Sequence, residues 1–585
     1  MGALAAAHQL DPLVVGNALA QPAVPTGAPS TLQQTILRGA LRQGSYHGLT
    51  TGPGEPYVPR TDVLGRAPAA DRVRSRRSLL YLGHLSDLHV IDAQSPGRIE
   101  PLVDQDHAAW ASAFHPHDPL TVHVLAAMVQ AVSDLRTSPL TGAPMGAAVV
   151  TGDSADMHSE KELRWYIDVL DGVPVVPDSG RPGVYEGLQA WPEATWAYRP
   201  DAPAGGDFGD RGFPTMPGLL QRAIAGPVES AGLGVPWYAV CGNHDTLLMG
   251  TFGVTDGFRS LATGRRKALT WEATTADALE GYGATVSPLT RFADILGTQW
   301  GLAPGFRTVT ADAARRVFEQ REFVAAHFDT TTLPGPVGHG FTRENLDTGT
   351  TWWSADLTPQ VRALGLDTCN QVAGPDGALP DDQFRWLAAE LGRAQAEGVL
   401  VLVLSHHNSL TMENRAQRPG AELVLHSGDE LVDLLLDHPV AIAWLNGHTH
   451  VNQILAHSRE TDGVRRGFWE ITTASCIDFP QQQQLVELLD NRDGTLSLFT
   501  TVVDHASPAV PGPGSGVADL AATSRELAAN DWVAAPLTRR GSPLDRNTEL
   551  LLPAPVDLSR VTDAELETTR AQARARRLAH ESRPR

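Results

Sequence analysis

The chain has few cysteines, almost no lysine, and no apolar run approaching the ~18 residues that a membrane helix needs. Cys241, Cys369 and Cys476 are scattered, odd in number and without CxxC spacing, which excludes a disulfide framework and a zinc finger. Cys241 follows the apolar run Trp237-Tyr238-Ala239-Val240, so a buried strand residue is expected there rather than a nucleophile. Lys161 and Lys267 are the two lysines among 46 basic residues. Arginine forks suit phosphate recognition, but a coding bias that also enriches Ala and Gly accounts for the same skew. Met1 to Val15 lacks the basic and apolar regions of a signal peptide. Arg76-Arg77 precedes an apolar stretch but runs straight into the first motif, so it is not read as a twin-arginine leader.

What is present is an acidic globular composition: 585 residues, 42% hydrophobic, with a formal charge of -21. The length allows more than one structural unit. The acidity argues against a nucleic-acid partner, yet leaves room for an anionic substrate wherever bound metal reverses the local sign. Compartment and oligomeric state stay open.

From Leu79 onward one pattern recurs. An apolar strand ends on residues that ligate metals. Leu79–Leu85 leads into Asp87-Leu88-His89, Ala147–Val150 into Gly152-Asp153, and Val235–Cys241 into Gly242-Asn243-His244-Asp245. Val399–Leu404 leads into His406-His407-Asn408, and Val440–Leu445 into Gly447-His448-Thr449-His450. Helical patterns intervene at Leu120–Leu135, Asp381–Ala396 and Gly428–Leu436, and further strands are expected at Phe468–Thr472, Leu485–Leu489 and Leu496–Val503. Strand ends are where open α/β sheets bind ligands, so the alternation predicts a layered α/β core with a site at those ends.

Residues 1–77 read as an N-terminal extension with one short helix near Thr31–Leu41, residues 78–505 as the catalytic domain, and residues 506–585 as a C-terminal extension ending in a helix. Its Arg570, Arg574, Arg576 and Arg577 are expected to be solvated. Pro/Gly-rich insertions at about 173–234 and 246–360 carry Trp191, Trp196, Trp300, Trp352 and Trp353. Arg259, Arg265, Arg266 and Lys267 are read as a solvated loop, with a distal-phosphate site as the alternative. His107, His115, His117 and His123 are read as a surface patch, and His84 and His158 as structural.

Carboxylate, amide-oxygen and imidazole donors suit hard and borderline divalent metals. A pair of metals needs a shared anion, and Asp153 beside Gly152 has room to bridge. Five motifs in this order resemble those of the calcineurin-like metallophosphoesterases, in a long-insert bacterial branch, over roughly residues 79–503. The resemblance implies an α/β/β/α sandwich of two mixed sheets flanked by helices, with large loop insertions. It implies one metal on Asp87, His89 and His450, a second on Asn243, His406 and His448, and Asp153 between them. Either histidine of the pair His406-His407 fits by sequence; the family's use of the first favours His406. By the same resemblance His244 contacts the phosphate and protonates the leaving group, and the Asp156 carboxylate orients it and raises its pKa. The implied cofactors are two divalent ions (Mn, Fe or Zn), and the implied activity is that of a phosphatase or phosphodiesterase using a metal-activated water. Small-molecule, lipid or nucleotide phosphate esters all remain open as substrates. A dinuclear hydrolase of a non-phosphate bond and a metal-bearing binding scaffold are the competing readings.

Overall fold

The computed structural model describes residues 30–104, 110–203, 205–270, 305–330, 335–418, 420–534 and 536–582. Two mixed sheets form its centre. The first has seven strands: β1 (Val58–Arg60), β2 (Arg77–Leu85), β3 (Ala147–Val150), β4 (Trp237–Ala239), then, after the second sheet's strands, β11 (Gln482–Asp490), β12 (Thr495–Asp504) and β13 (Thr548–Pro553). The second has six: β5 (Trp353–Thr358), β6 (Val361–Gly365), β7 (Leu400–Leu404), β8 (Ala441–Asn446), β9 (Gln453–Thr461) and β10 (Val464–Thr472). Their orders are β1-β13-β12-β11-β2-β3-β4 and β9-β10-β8-β7-β6-β5.

Motif-bearing strands run parallel within each sheet. Strands β2, β3 and β4 pair in parallel, as do β7 and β8, so their C-terminal ends lie on one edge. Such strands, buried on both faces, are mostly apolar rather than alternating. Leu82 and Val149 of the first sheet and Ala363, Leu402, Leu445 and Trp469 of the second belong to one buried apolar cluster.

Helices cover the outside. Thr121–Asp134 and Glu160–Asp171 pack on the first sheet through Leu125, Val129, Tyr166 and Leu170. The second of them starts where Ser159 accepts the Glu162 N–H and stops at the left-handed Gly172. Asp381–Glu397 and Gly428–Asp437 bury Leu387, Leu391, Leu431 and Leu435 against Val401, Val403 and Trp444 of the second sheet. The layers are thus helix, sheet, sheet, helix, as expected.

Several expectations need correction. Instead of a helix near Thr31–Leu41 there is a hairpin, Gln34–Gln43 paired antiparallel with Tyr46–Pro53. Its turn at Gly44 adopts φ +56°, and strand pairing there outweighs local helical character. Strands β1 and β13 come from the two ends of the chain and pair with each other in the first sheet. Within the second insertion, β5 is an edge strand of the second sheet.

The histidine patch is not at the surface. His115, His117 and His123 are buried, because helix Val517–Ala528 and the residues after it fold over this region, bringing Asp531 within 2.9 Å of His115 Nδ1. His107 and Trp300 lie outside the described residues. Lys267 is fully buried, its Nζ donating to Glu100 at 2.6 Å and to Ser95 O at 2.7 Å; this segment is no plain solvated loop. Arg259 is paired with Glu319, and Arg266 lies over the Phe306 ring. Trp191 and Trp196 join a second apolar cluster, while Trp353, buried on the edge strand β5, donates to Ala239 O of the first sheet. Helix Asp563–Glu581 carries the terminal arginines, with Arg577 on Glu581 and Arg570 on Ser78 O. Among the described residues no helix is long and apolar enough to cross a membrane.

Candidate metal centre

Three of the five motifs, the first, second and fifth, leave their strands through left-handed turns. Asp87, His89, Asp153, His448 and His450 all have positive φ, between 43° and 68°. Left-handed backbone is uncommon for residues with side chains and clusters at functional sites. It re-aims successive side chains into one space. Close packing enforces the rest: a Cβ added at Gly447 would lie 1.9 Å from Ser86 Oγ and 2.2 Å from Asp87 Oδ2, so only glycine lets the fifth loop approach the first.

The structure brings all seven expected donors together. Asp87, His89, Asp153 and His450 offer ligand atoms within 4.8 Å of one another, and His406, His407 and His448 form an adjoining group. Asp153 lies between the two. Its Oδ2 is 3.1 Å from His406 Nε2 and 3.7 Å from His89 Nε2, while its Oδ1 accepts from the His244 N–H at 2.8 Å. Asn243 gives its amide NH2 to Gly250 O, which leaves Oδ1, 3.1 Å from His448 Nδ1, as the inward donor. His406 and His407 are separated by their partners. His407 is held on both ring nitrogens, by Thr368 Oγ1 and Pro375 O at 2.8 Å each. His406 binds Thr151 O through Nδ1 and turns Nε2 into the cluster.

Three of the imidazoles have their outer nitrogen occupied. His89 Nδ1 is 3.0 Å from Asp156 Oδ1, His450 Nδ1 is 2.6 Å from Asp478 Oδ2, and His406 Nδ1 is 2.8 Å from Thr151 O. Hydrogen bonds donated outward leave Nε2 as a bare lone pair. His89 Nε2 and His450 Nε2 then face each other at 3.1 Å, an arrangement that a shared cation stabilises. The donor set of carboxylates, imidazoles and an amide oxygen fits divalent metals.

The charges are strongly coupled. Burial would lower His406, but Asp153 beside it lifts it to about 9; His450 is lifted to about 9 by Asp87 and Asp478 against the same burial. Burial would raise Asp153, yet His406 and His244 hold its carboxyl well below the usual range. Burial, then neighbouring His407 and His406, pushes His448 well down. Ligating imidazoles must be neutral, so ion binding here displaces protons.

The pair His244 and Asp156 meets differently from expectation. His244 Nδ1 is 2.8 Å from the Asp156 carbonyl oxygen, whereas the nearest carboxylate oxygen is 3.6 Å away. That carboxylate is taken by His89 Nδ1 and, at 2.5 Å, by Arg98. Nor is His244 raised: burial lowers it, and Asp153 and Asp156 only partly oppose this.

Several supporting residues lie outside the expected set. Asp245 accepts from the N–H groups of Ser154, Ala155 and Gly242, tying the second motif to the third. Arg98 joins Asp156 to Asp118, and Arg539 lies 3.3 Å from Asp478. Burial would raise the Asp478 carboxyl, but Arg539 and then His450 hold it well below the usual range. Asp245 was legible as the third polar residue in its motif; Arg98 and Arg539 carry no local signal. His84 is tied to Thr151 at 3.0 Å and His158 packs edge-on against Phe318. All three cysteines are buried and free, and burial pushes the Cys241 thiol well up.

No protein-family model matches the chain, and no curated protein matches it in sequence. Among solved structures it is similar to a dimetal phosphatase from Danio rerio, at 10% identity and a TM-score of 0.32, over 73% of this chain and 100% of that one.

Proposed function

We propose that this chain is a hydrolase of phosphate esters built around a two-metal centre, a member of the calcineurin-like metallophosphoesterases. The observation that carries the reading is the placement of Asp153 between two donor groups, Asp87/His89/His450 and Asn243/His406/His448, all delivered by the ends of parallel strands. Divalent ions held there would neutralise phosphoryl oxygens and lower the pKa of a water nucleophile.

The chain's own residues do the remainder. His244 abuts this centre, its ring 4.6 Å from that of His89. Because its Nδ1 is committed to Asp156 O, Nε2 is the atom left to meet the substrate. An arriving phosphate anion favours the cationic imidazole and offsets the effect of burial, so His244 can donate a proton to the leaving oxygen. Asp156 keeps His89 oriented through its carboxylate and His244 through its carbonyl, so one residue sets both rings.

The test is metal analysis of the purified protein, followed by assays on chromogenic phosphomonoesters, phosphodiesters and amides with Mn, Fe or Zn restored. Two ions per chain and turnover of phosphate esters are expected. Turnover of amides alone, or metal uptake without any hydrolysis, would replace this reading with another dinuclear hydrolase or a binding scaffold. Which small-molecule, lipid or nucleotide ester is preferred follows from the same panel.

A further inference from the structure

His450 ends the fifth motif, and its outer nitrogen meets a carboxylate that belongs to no motif. Asp478 lies in the loop between β10 and β11, where its N–H donates to Ser475 Oγ at 3.0 Å. Its Oδ2 accepts from His450 Nδ1 at 2.6 Å and is 3.3 Å from Arg539 Nη2. Arg539 comes from the far end of the chain and is latched at several points. Its Nη1 donates to Thr449 O at 3.1 Å and its Nε to Ala534 O at 3.1 Å. Its own carbonyl accepts from Asn452 N at 3.1 Å. Arg539 thus grips both the loop that carries His450 and the carboxylate that orients it.

The same arrangement recurs across the cluster. His89 Nδ1 meets Asp156, and Asp156 meets Arg98. The other donor group has nothing equivalent on His406 or Asn243: His406 rests on the neutral Thr151 carbonyl, and Asn243 is a neutral amide. A carboxylate on the outer nitrogen fixes the tautomer and strengthens an imidazole as a donor.

We propose that Asp478 and Arg539 are a positioning pair for His450, and that they help the Asp87/His89/His450 position hold its divalent ion more tightly than the Asn243/His406/His448 position does. This rests on the dinuclear reading above. It also makes the C-terminal segment part of the metal centre.

The experiment loads the full chain with Zn, titrates it with EDTA, and counts the ions retained by mass spectrometry. Wild type is expected to release its two ions in separate steps, and Asn243→Ala to lose only the early-leaving one. Asp478→Asn and Arg539→Gln should weaken the late-leaving ion about 10–100-fold, merging the two steps, with Arg539→Lys in between. Circular dichroism of the metal-free variants guards against simple unfolding; if Asp478→Asn fails to fold, the Arg539 variants carry the test. Two unchanged steps in both Arg539 variants, or single-step release by wild type, overturns the pair. A wild type that takes up no metal sinks the dinuclear reading and the pair with it.

Discussion

His244 and Asp156 are joined through the main chain: the imidazole Nδ1 lies 2.8 Å from the Asp156 carbonyl oxygen, and the carboxylate faces His89 and Arg98. An Asp156→Asn substitution therefore leaves the His244 contact in place and removes the anion behind His89. The expected defect is weaker metal binding, about 10–100-fold, with the dependence of rate on leaving group preserved. Metal titration alongside a series of aryl and alkyl esters checks this; a selective loss on alkyl esters with metal affinity intact would contradict it.

His244→Ala should behave in the opposite way. Both ions stay, since the ring is bound to Asp156 O rather than to the donor cluster. With its proton gone, kcat on alkyl esters should fall by about 10²–10⁴, and far less on p-nitrophenyl esters. Equal loss on good and poor leaving groups would reduce His244 to a phosphate contact, and loss of a metal would make it a ligand.

For Asp153→Ala the expected outcome is loss of both ions. Asp153 stands closest to both groups, with contacts of 3.1 Å to His406 and 3.7 Å to His89, whereas Asp87 Oδ1, 3.2 Å from His450, is 4.0 Å from His406. Retention of one ion at full affinity would show that the two positions are independent.

Gly250 tests the third loop. A Cβ there would lie 2.1 Å from Asn243 Nδ2 and 2.3 Å from His244 Cδ2, on a backbone at φ +62°. Gly250→Ala should cost about 1–3 kcal/mol of stability from the strained backbone. It should also lower activity by displacing both side chains. Thermal melts and steady-state rates measure the two effects, and wild-type activity would show that the loop yields freely.

Stability should decline with pH through the His115–Asp531 pair. Burial would lower this imidazole, but the hydrogen bond and charge of Asp531 lift it to about 9 from 6.5. The folded chain holds the proton more tightly than the unfolded one, so the stabilisation is complete below about pH 6.5 and fades as pH rises through about 9. Asp531→Asn should flatten that decline between pH 6.5 and 9 in denaturant melts. A pH profile parallel to wild type would show that the pair does not titrate as described.

The seven residues that the fold brings together stood out in the sequence because each signal is local: an apolar strand, a turn, then a ligand-type side chain. The order of strands and helices was legible for the same reason. The hairpin at Gln34–Pro53 was not, since pairing between strands decides its conformation. Nor was the burial of His115, which depends on Asp531 from a distant part of the chain.

By itself, then, the sequence determined which residue types stand at the strand ends and in what order, because strand periodicity and turn chemistry act over a few neighbouring residues. Only the tertiary structure decided where the Asp156 carboxylate points, that His406 rather than His407 turns inward, and that Asp478 and Arg539 stand behind His450. Those choices depend on which hydrogen-bond partners and charges the fold brings within about 3 Å. Residues far apart in the chain supply them, and no local pattern records such a meeting.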